Sequence, residues 1–207
     1  MTLFVARHGQ TDWNLAPTRC QGWADVPLND RGREQAHELG RSLRGRGLEL
    51  IVSSHLARAR ETAELVRDEL AAGPATAPIE LRLDERLAET RRGAWEARLF
   101  EEIIREEPAA WAAYREHPET FRFPGGESLA EQQRRVLEAV RDAALAGRVA
   151  LLVTHGGSIR LLRAFLTGEG VAAFHRLKAP NGAILALDEP DLPERVDAFL
   201  AGSPTRR

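Results

Sequence analysis

Cysteine is almost absent from this chain: Cys20 stands alone, so no intramolecular disulfide and no cysteine-based metal cluster can form. Lys178 is the only lysine, so nearly all of the positive charge sits on guanidinium forks, which match phosphate oxygens bidentately. The chain also lacks a His-Glu-x-x-His pair, a carboxylate cluster at ligand spacing and a Gly-Lys-Ser/Thr loop, so neither a bound metal nor a nucleotide-cradling loop is expected. Gly45-Arg46-Gly47 precedes an apolar run instead of following one, and reads as a helix end. Apolar runs such as Val149 to Val153 are far too short to span a bilayer. Six residues precede Arg7, too few for a signal peptide. A net charge of −2 offers no general attraction to nucleic acid or anionic membrane. The expectation is a cytoplasmic protein with no cofactor, no metal, no nucleic-acid partner and no membrane partner.

What is present is a regular alternation of strand and helix signals. The 207 residues, 43% apolar and 29% charged, suit one domain spanning 1–207. Thr2 to Ala6 reads as a strand and Asp30 to Arg46 as a helix with Ala36, Leu39 and Leu43 inward. Leu50-Ile51-Val52 is a buried strand. Ser53 and Ser54 offer caps to a helix with Leu56, Ala59, Ala63, Val66 and Leu70 on its inner face, ended by Gly73-Pro74. Ile79 to Leu83 reads as a further strand.

The stretch from Glu85 to Gly126, with Trp95, Trp111, Tyr114, Phe121 and Phe123 among many charges, breaks the pattern. It predicts an inserted helical lid over about 90–126, since ordinary connections are far shorter. Ser128-x-x-Glu131 is a capping box opening a helix to about Ala146. Arg148 to Val153 is the clearest central strand, Gly157 to Leu166 a helix and Ala183 to Leu187 a last strand. A short helical pattern and a polar end follow Pro190. The fold class predicted is α/β: a mainly parallel central sheet, helices on both faces and the lid.

Two histidines close apolar runs, each followed by glycine: Arg7-His8-Gly9 and Thr154-His155-Gly156-Gly157. In open parallel sheets ligands bind beyond the carboxyl ends of the strands, which is where both histidines fall. A neutral imidazole can attack phosphorus, and a transferring phosphoryl group needs cations on its oxygens. Arg58 sits in the first turn of a predicted helix, where the macrodipole disfavours a cation unless an anion is near.

Arg7-His8-Gly9-Gln10-Thr11, then Ser54-x-Leu56-x-Arg58-Ala59-x-x-Thr62-Ala63, then Thr154-His155-Gly156-Gly157 resemble the histidine phosphatase superfamily in order and spacing. That family shares its fold with cofactor-dependent phosphoglycerate mutases. Gln21 to Leu28, Leu87-Ala88-Glu89, Gly93 to Glu96 and Pro124 to Ser128 are similar to it as well, so the likeness covers about residues 2 to 187.

The resemblance implies His8 as nucleophile, with Arg7, Arg58 and His155 clamping the phosphoryl oxygens. It implies Glu89 as the acid that protonates the leaving alcohol; Glu85 competes from spacing alone. Thr11 and Asn14 would add hydrogen bonds, Gln21 and Gly22 would line the mouth, and Gly156 would present its N–H. Glu96 would order the loop. His155, facing phosphate, would gain by being charged.

Two departures stand out. Ala97 replaces the glycine that usually follows Trp-Glu, and Arg91-Arg92 stand where an apolar or aromatic pair is common. The paired arginines read either as a solvated loop or as added positive charge for a second anionic group on the substrate. Cys20 lies near the implied mouth. The function implied is a metal-independent phosphomonoester hydrolase working through phosphohistidine on a small phosphorylated substrate. The alternatives are a 2,3-bisphosphoglycerate-dependent phosphoglycerate mutase and a catalytically silent phosphate-binding protein.

Overall fold

The computed structural model describes residues 2–73 and 78–202. Pro74 of the expected helix stop, and the polar end of the chain beyond 202, lie outside the described residues. Five strands form one sheet: β1 (Leu3–Arg7), β2 (Leu50–Ser53), β3 (Glu80–Leu83), β4 (Ala150–Thr154) and β5 (Ile184–Leu187). Their order is β3-β2-β4-β1-β5. β1, β2, β3 and β4 run parallel, and β5 joins the β1 edge antiparallel.

Side chains alternate across each strand, so each face has its own core. On one face Phe4, Ala6, Ile51 and Val153 meet Leu39 of α1 (Asp30–Ser42), Leu43 at its C-cap, and Ala63 and Val66 of α2 (Ala57–Ala71). On the other, Leu3, Val5, Leu50 and Leu152 meet Val136 and Val140 of α5 (Leu129–Leu145). Ile159 and Leu162 of α6 (Gly156–Leu166) and Val196 of α7 (Leu192–Leu200) complete that layer. The α/β sheet with helices on both faces is therefore the expected one. The connection from β1 passes β4 to reach β2 and that from β4 passes β1 to reach β5, in the opposite direction, which makes the β1/β4 pair the topological switch point.

The expected serine caps are corrected. α2 begins at Ala57 and Leu56 occupies its cap without a side-chain bond. Ser53 instead bonds the Ser54 carbonyl and Ser54 holds the Leu56 N–H, so both serines serve the turn. The capping box at Ser128 and Glu131 is present as expected.

Residues 85–126 lie off the sheet and include α3 (Phe100–Glu106) and α4 (Pro108–Glu116). Trp95, Tyr114 and Phe123 are buried there with Ile103, Leu129, Leu161 and Phe174. These aromatics pack the segment's own core; of the larger aromatic set only Phe100 reaches the hollow described below. Cys20 is buried in the same cluster, and burial pushes its thiol pKa up, the opposite of what a reactive thiol needs.

Ala97 explains one departure in backbone terms. Its φ is 67°, in the left-handed region that favours glycine. The position is held by Ala97 N–H donating to the Cys20 carbonyl at 2.8 Å and by Arg19 donating to the Ala97 carbonyl at 3.0 Å. A left-handed alanine costs about 1–2 kcal/mol, and glycine's extra unfolded-state freedom offsets about half of that. Ala97→Gly should therefore raise Tm by a few degrees, read by differential scanning calorimetry.

Candidate active site

The register of β1 on β4 brings the two histidines together. Arg7 pairs with Thr154, so His8 and His155 leave the sheet side by side. Their ring centroids are 5.1 Å apart, with planes tilted by 56°. A hollow of about 170 Å³ opens at this edge, and Arg7, His8, Asn14, Gln21, Gly22, Arg58, Glu89 and Gly156 all line it. His155 is fully buried beside the His8 ring. Thr11 is also buried but does not reach the hollow; its N–H and hydroxyl both bond the Asn14 side chain. Glu85 lies elsewhere, on a second groove with Trp23 and Arg122, so it does not compete with Glu89.

The turn after β1 is tight because two glycines touch. A Cβ on Gly9 would sit 2.2 Å from the Gly32 carbonyl oxygen, so no side chain fits. The Gly9 N–H donates to Thr62 Oγ1 at 3.1 Å, tying this turn to α2. His8 Nδ1 lies 2.6 Å from the Gly9 carbonyl oxygen. A carbonyl can only accept, so Nδ1 carries the proton and donates it. Burial first, then the charges of Arg58, His155 and Arg7, hold the His8 pKa well below its usual value. The ring is neutral and Nε2 keeps a free lone pair, which is what a nitrogen nucleophile requires.

The cations are placed by the backbone. Arg58 is fully buried and donates to the Ala24 carbonyl at 2.9 Å and the Gly22 carbonyl at 2.8 Å, which folds the loop carrying Gln21 and Gly22 over the hollow. Arg7 donates to the Ala179 carbonyl at 2.6 Å. Both retain a buried Nε with no partner, as does Arg160, and His155 has an unpartnered Nδ1. Unpaired buried donors are rare in native proteins and mark a place where an acceptor belongs. Burial lowers the Arg7 and Arg58 pKa to about 10, which leaves both charged at neutral pH.

Glu89 is held on three sides. Its Oε1 accepts from the Thr90 N–H at 2.9 Å and from Gln132 Nε2 at 3.1 Å, and its Oε2 from the Gly157 N–H at 3.1 Å. Gly157 is the second residue of α6, so the helix N-terminus points at this carboxylate. A Cβ on Gly157 would fall 2.1 Å from Glu89 Oε1, so this glycine leaves room for the carboxylate. Burial alone would raise the Glu89 pKa; the Arg92 charge, the Thr90 and Gly157 N–H groups and the Arg58 charge outweigh it and set it at about 2.

Arg91 and Arg92 part company. Arg91 is exposed and stacks 4.1 Å from the centre of a Trp23 ring. Arg92 is buried, lines the hollow and lies over the Phe123 ring at 5.0 Å. Glu96 accepts from the Trp23 and Arg92 N–H groups, at 3.0 and 2.8 Å, and orders the loop.

Arg19, Arg160 and Gln132 escaped the sequence reading. Arg160 stands four residues after Gly156, on the same face of α6, and that spacing was the available signal. Gln132 interrupts the apolar stripe Leu129, Val136, Val140 of α5, and a polar residue on an inward stripe was the sign there.

His155, expected to gain by being charged against phosphate, is held neutral by the protein's own groups. Burial, then the Arg58, Arg135 and Arg7 charges, push its pKa well below the usual value. Both histidines are therefore neutral when folded but bind protons at about 6.5 when unfolded. The unfolded state takes up more protons below that pH, so stability falls as pH drops through 6.5. The loss should be about 1 kcal/mol per pH unit for each histidine, seen as a falling urea midpoint between pH 7.5 and 5.5. His155→Asn should make that dependence shallower.

Comparison with known proteins follows the same geometry. The family model described as histidine phosphatase superfamily (branch 1) matches residues 3–196. A protein of Erwinia tasmaniensis named probable phosphoglycerate mutase GpmB is 33% identical over 196 residues, which is 93% of this chain and 87% of the relative. The structure of Bacillus stearothermophilus YhfR is 33% identical with a TM-score of 0.81, covering 90% of each chain. A mycobacterial glucosyl-3-phosphoglycerate phosphatase, solved as a complex with VO3, is 32% identical with a TM-score of 0.78 over 93% of each chain.

Proposed function

The chain belongs to the histidine phosphatase superfamily, and from that premise we propose that it is a metal-independent phosphomonoesterase with His8 as nucleophile and Glu89 as proton donor. One observation carries the reading. A neutral imidazole with its lone pair on Nε2 borders a hollow whose guanidiniums hold unpartnered N–H groups. In the first step Nε2 of His8 attacks phosphorus, the ester P–O bond breaks, and a proton passes through Glu89 to the leaving oxygen. In the second, Glu89 takes a proton from water as the water oxygen bonds to phosphorus and the His8 N–P bond breaks; phosphate then leaves as the monoanion with that proton, and Glu89 is a carboxylate again. Arg7, Arg58 and His155 clamp the phosphoryl oxygens, while Asn14, Gln21, Gly22 and the Gly156 N–H border the substrate. Thr11 acts only by holding Asn14.

The charge of the hollow supports two finer points. Its described lining holds five arginines, Arg7, Arg19, Arg58, Arg92 and Arg160, against the single carboxylate of Glu89. Such a surround repels a divalent cation, so EDTA should leave turnover intact. It also exceeds what one phosphoryl group neutralises, as monoanion or dianion, so a leaving alcohol bearing a carboxylate or second phosphate is favoured.

Both readings of the family can be separated in one tube. With 3-phosphoglycerate and a trace of 2,3-bisphosphoglycerate, a phosphatase releases free phosphate and a mutase makes 2-phosphoglycerate. The names of the curated relatives give the mutase its weight. Free phosphate from 3-phosphoglycerate, faster than from glycerol phosphate, is the result expected here. Stabilisation by phosphate with no turnover of any ester would instead identify a silent binding protein.

A further inference from the structure

Three N–H donors meet the Glu89 carboxylate, and the Thr90 hydroxyl, which donates to Gln132 Oε1, lies farther off at 3.4 Å from Glu89 Oε1. Thr90 N–H and Gln132 Nε2 reach Oε1, and Gly157 N–H reaches Oε2. The Gln132 amide is set to donate: its Oε1 takes the Thr90 hydroxyl at 2.5 Å and its Nε2 also donates to Ser158 Oγ at 3.1 Å, and turning it round would cost the Thr90 hydroxyl that acceptor and draw the Ser158 hydroxyl off its own. The Ser158 hydroxyl is used in turn on the Ala88 carbonyl, at 3.3 Å. Gln132 and Ser158 are both fully buried, so water does not replace these bonds. A proton on Oε1 would face two N–H groups head on. Its one possible acceptor is Thr90 Oγ1 at a long 3.4 Å, so the open side of Oε2, toward the hollow, is the better place for a proton.

We propose that Gln132 is a positioning residue that, with the Thr90 and Gly157 N–H groups, keeps Glu89 a bare carboxylate at rest, so the proton that leaves with the alcohol is carried in by a phosphomonoester bound as its monoanion. This rests on the roles given to His8 and Glu89 above. The surrounding charges agree. Arg92 beside Glu89, Arg58 of α2 and Arg7 of β1 all favour the carboxylate, and Arg135 of α5 donates to the Glu89 backbone carbonyl at 2.8 Å. His8 and His155 are neutral neighbours with no proton to give, and the nearby Cys20 thiol is buried.

The step balances. A phosphoryl O–H of the ester gives its proton to Glu89 Oε2. The His8 Nε2 lone pair forms the N–P bond, and the P–O bond breaks with its pair on the alcohol oxygen. Glu89 then returns the proton to that oxygen. Glu89 ends as it began, and His8 carries the phosphoryl group.

The second phosphate pKa of such esters lies near about 6, so kcat/KM should fall above that pH. The test compares wild-type pH profiles for an alkyl and an aryl phosphate whose second pKa values differ. The alkaline limb should move with the substrate by the same interval. A limb that stays fixed while the substrate pKa changes overturns the proposal, because the titrating acid then belongs to the enzyme. His8-independent hydrolysis, or none, overturns the underlying reading instead. Gln132→Leu supplies the residue-level arm. A ¹³C NMR titration should place the Glu89 carboxyl about one pH unit higher than in wild type, with kcat lowered about tenfold and KM within threefold. An unmoved Glu89 titration removes Gln132 from the role, even if the variant is less stable.

Discussion

His8→Ala should abolish turnover while leaving the fold intact. The side chain makes one hydrogen bond, to the Gly9 carbonyl, and that oxygen keeps the Asn181 amide at 3.3 Å. The variant loses the ring's contact with His155 but no wider hydrogen-bond network. What it loses is the atom proposed to form the covalent intermediate. Removing a nucleophile leaves only binding and charge stabilisation, and costs about 10⁴-fold or more in kcat. Mass spectrometry of enzyme quenched at alkaline pH should find one phosphoryl group on wild type during turnover and none on the variant. Ordinary turnover by folded His8→Ala protein would end the phosphohistidine reading.

Much of this arrangement was legible because the chemistry sits at the ends of strands. Leu3 to Ala6 and Val149 to Val153 are continuous apolar runs, as buried parallel strands must be, and each stops at a histidine followed by glycine. Once both strands lie in one sheet, register decides whether the histidines meet. Register is a tertiary property, and here the Arg7–Thr154 pairing sets it. The surrounding shell was harder to read. Nothing in Arg91-Arg92 tells which guanidinium turns inward; that follows from the backbone of 93–97 and from Glu96, which holds the Arg92 N–H. Ser54 read as a cap, but a serine hydroxyl has several possible partners, and the structure sets it 2.8 Å from His155 Nε2. Gly157 reads equally well as packing or as clearance. Only the position of Glu89, on a loop 68 residues away, shows that it is clearance.

Arg58→Ala should cost turnover and stability together, and the two losses can be separated. Its terminal nitrogens hold the Gly22 and Ala24 carbonyls, so truncation leaves two acceptors of the mouth loop unpaired, at about 1–3 kcal/mol each where water cannot reach them. Its Nε has no protein partner and, in the proposed clamp, serves a bound anion. Loss of one preorganised donor from such a site costs about 10² to 10³ in kcat. Lysine keeps the charge but cannot span both carbonyls as a planar fork does, so Arg58→Lys should recover little. A ligand that binds only the folded protein raises Tm in proportion to its affinity, and vanadate or phosphate should act so here. Wild type should show that rise and Arg58→Ala should lose most of it, even after the ligand-free Tm difference is subtracted. A variant with lowered Tm but an unchanged ligand-induced rise would assign Arg58 to the loop alone and leave the clamp to Arg7 and His155.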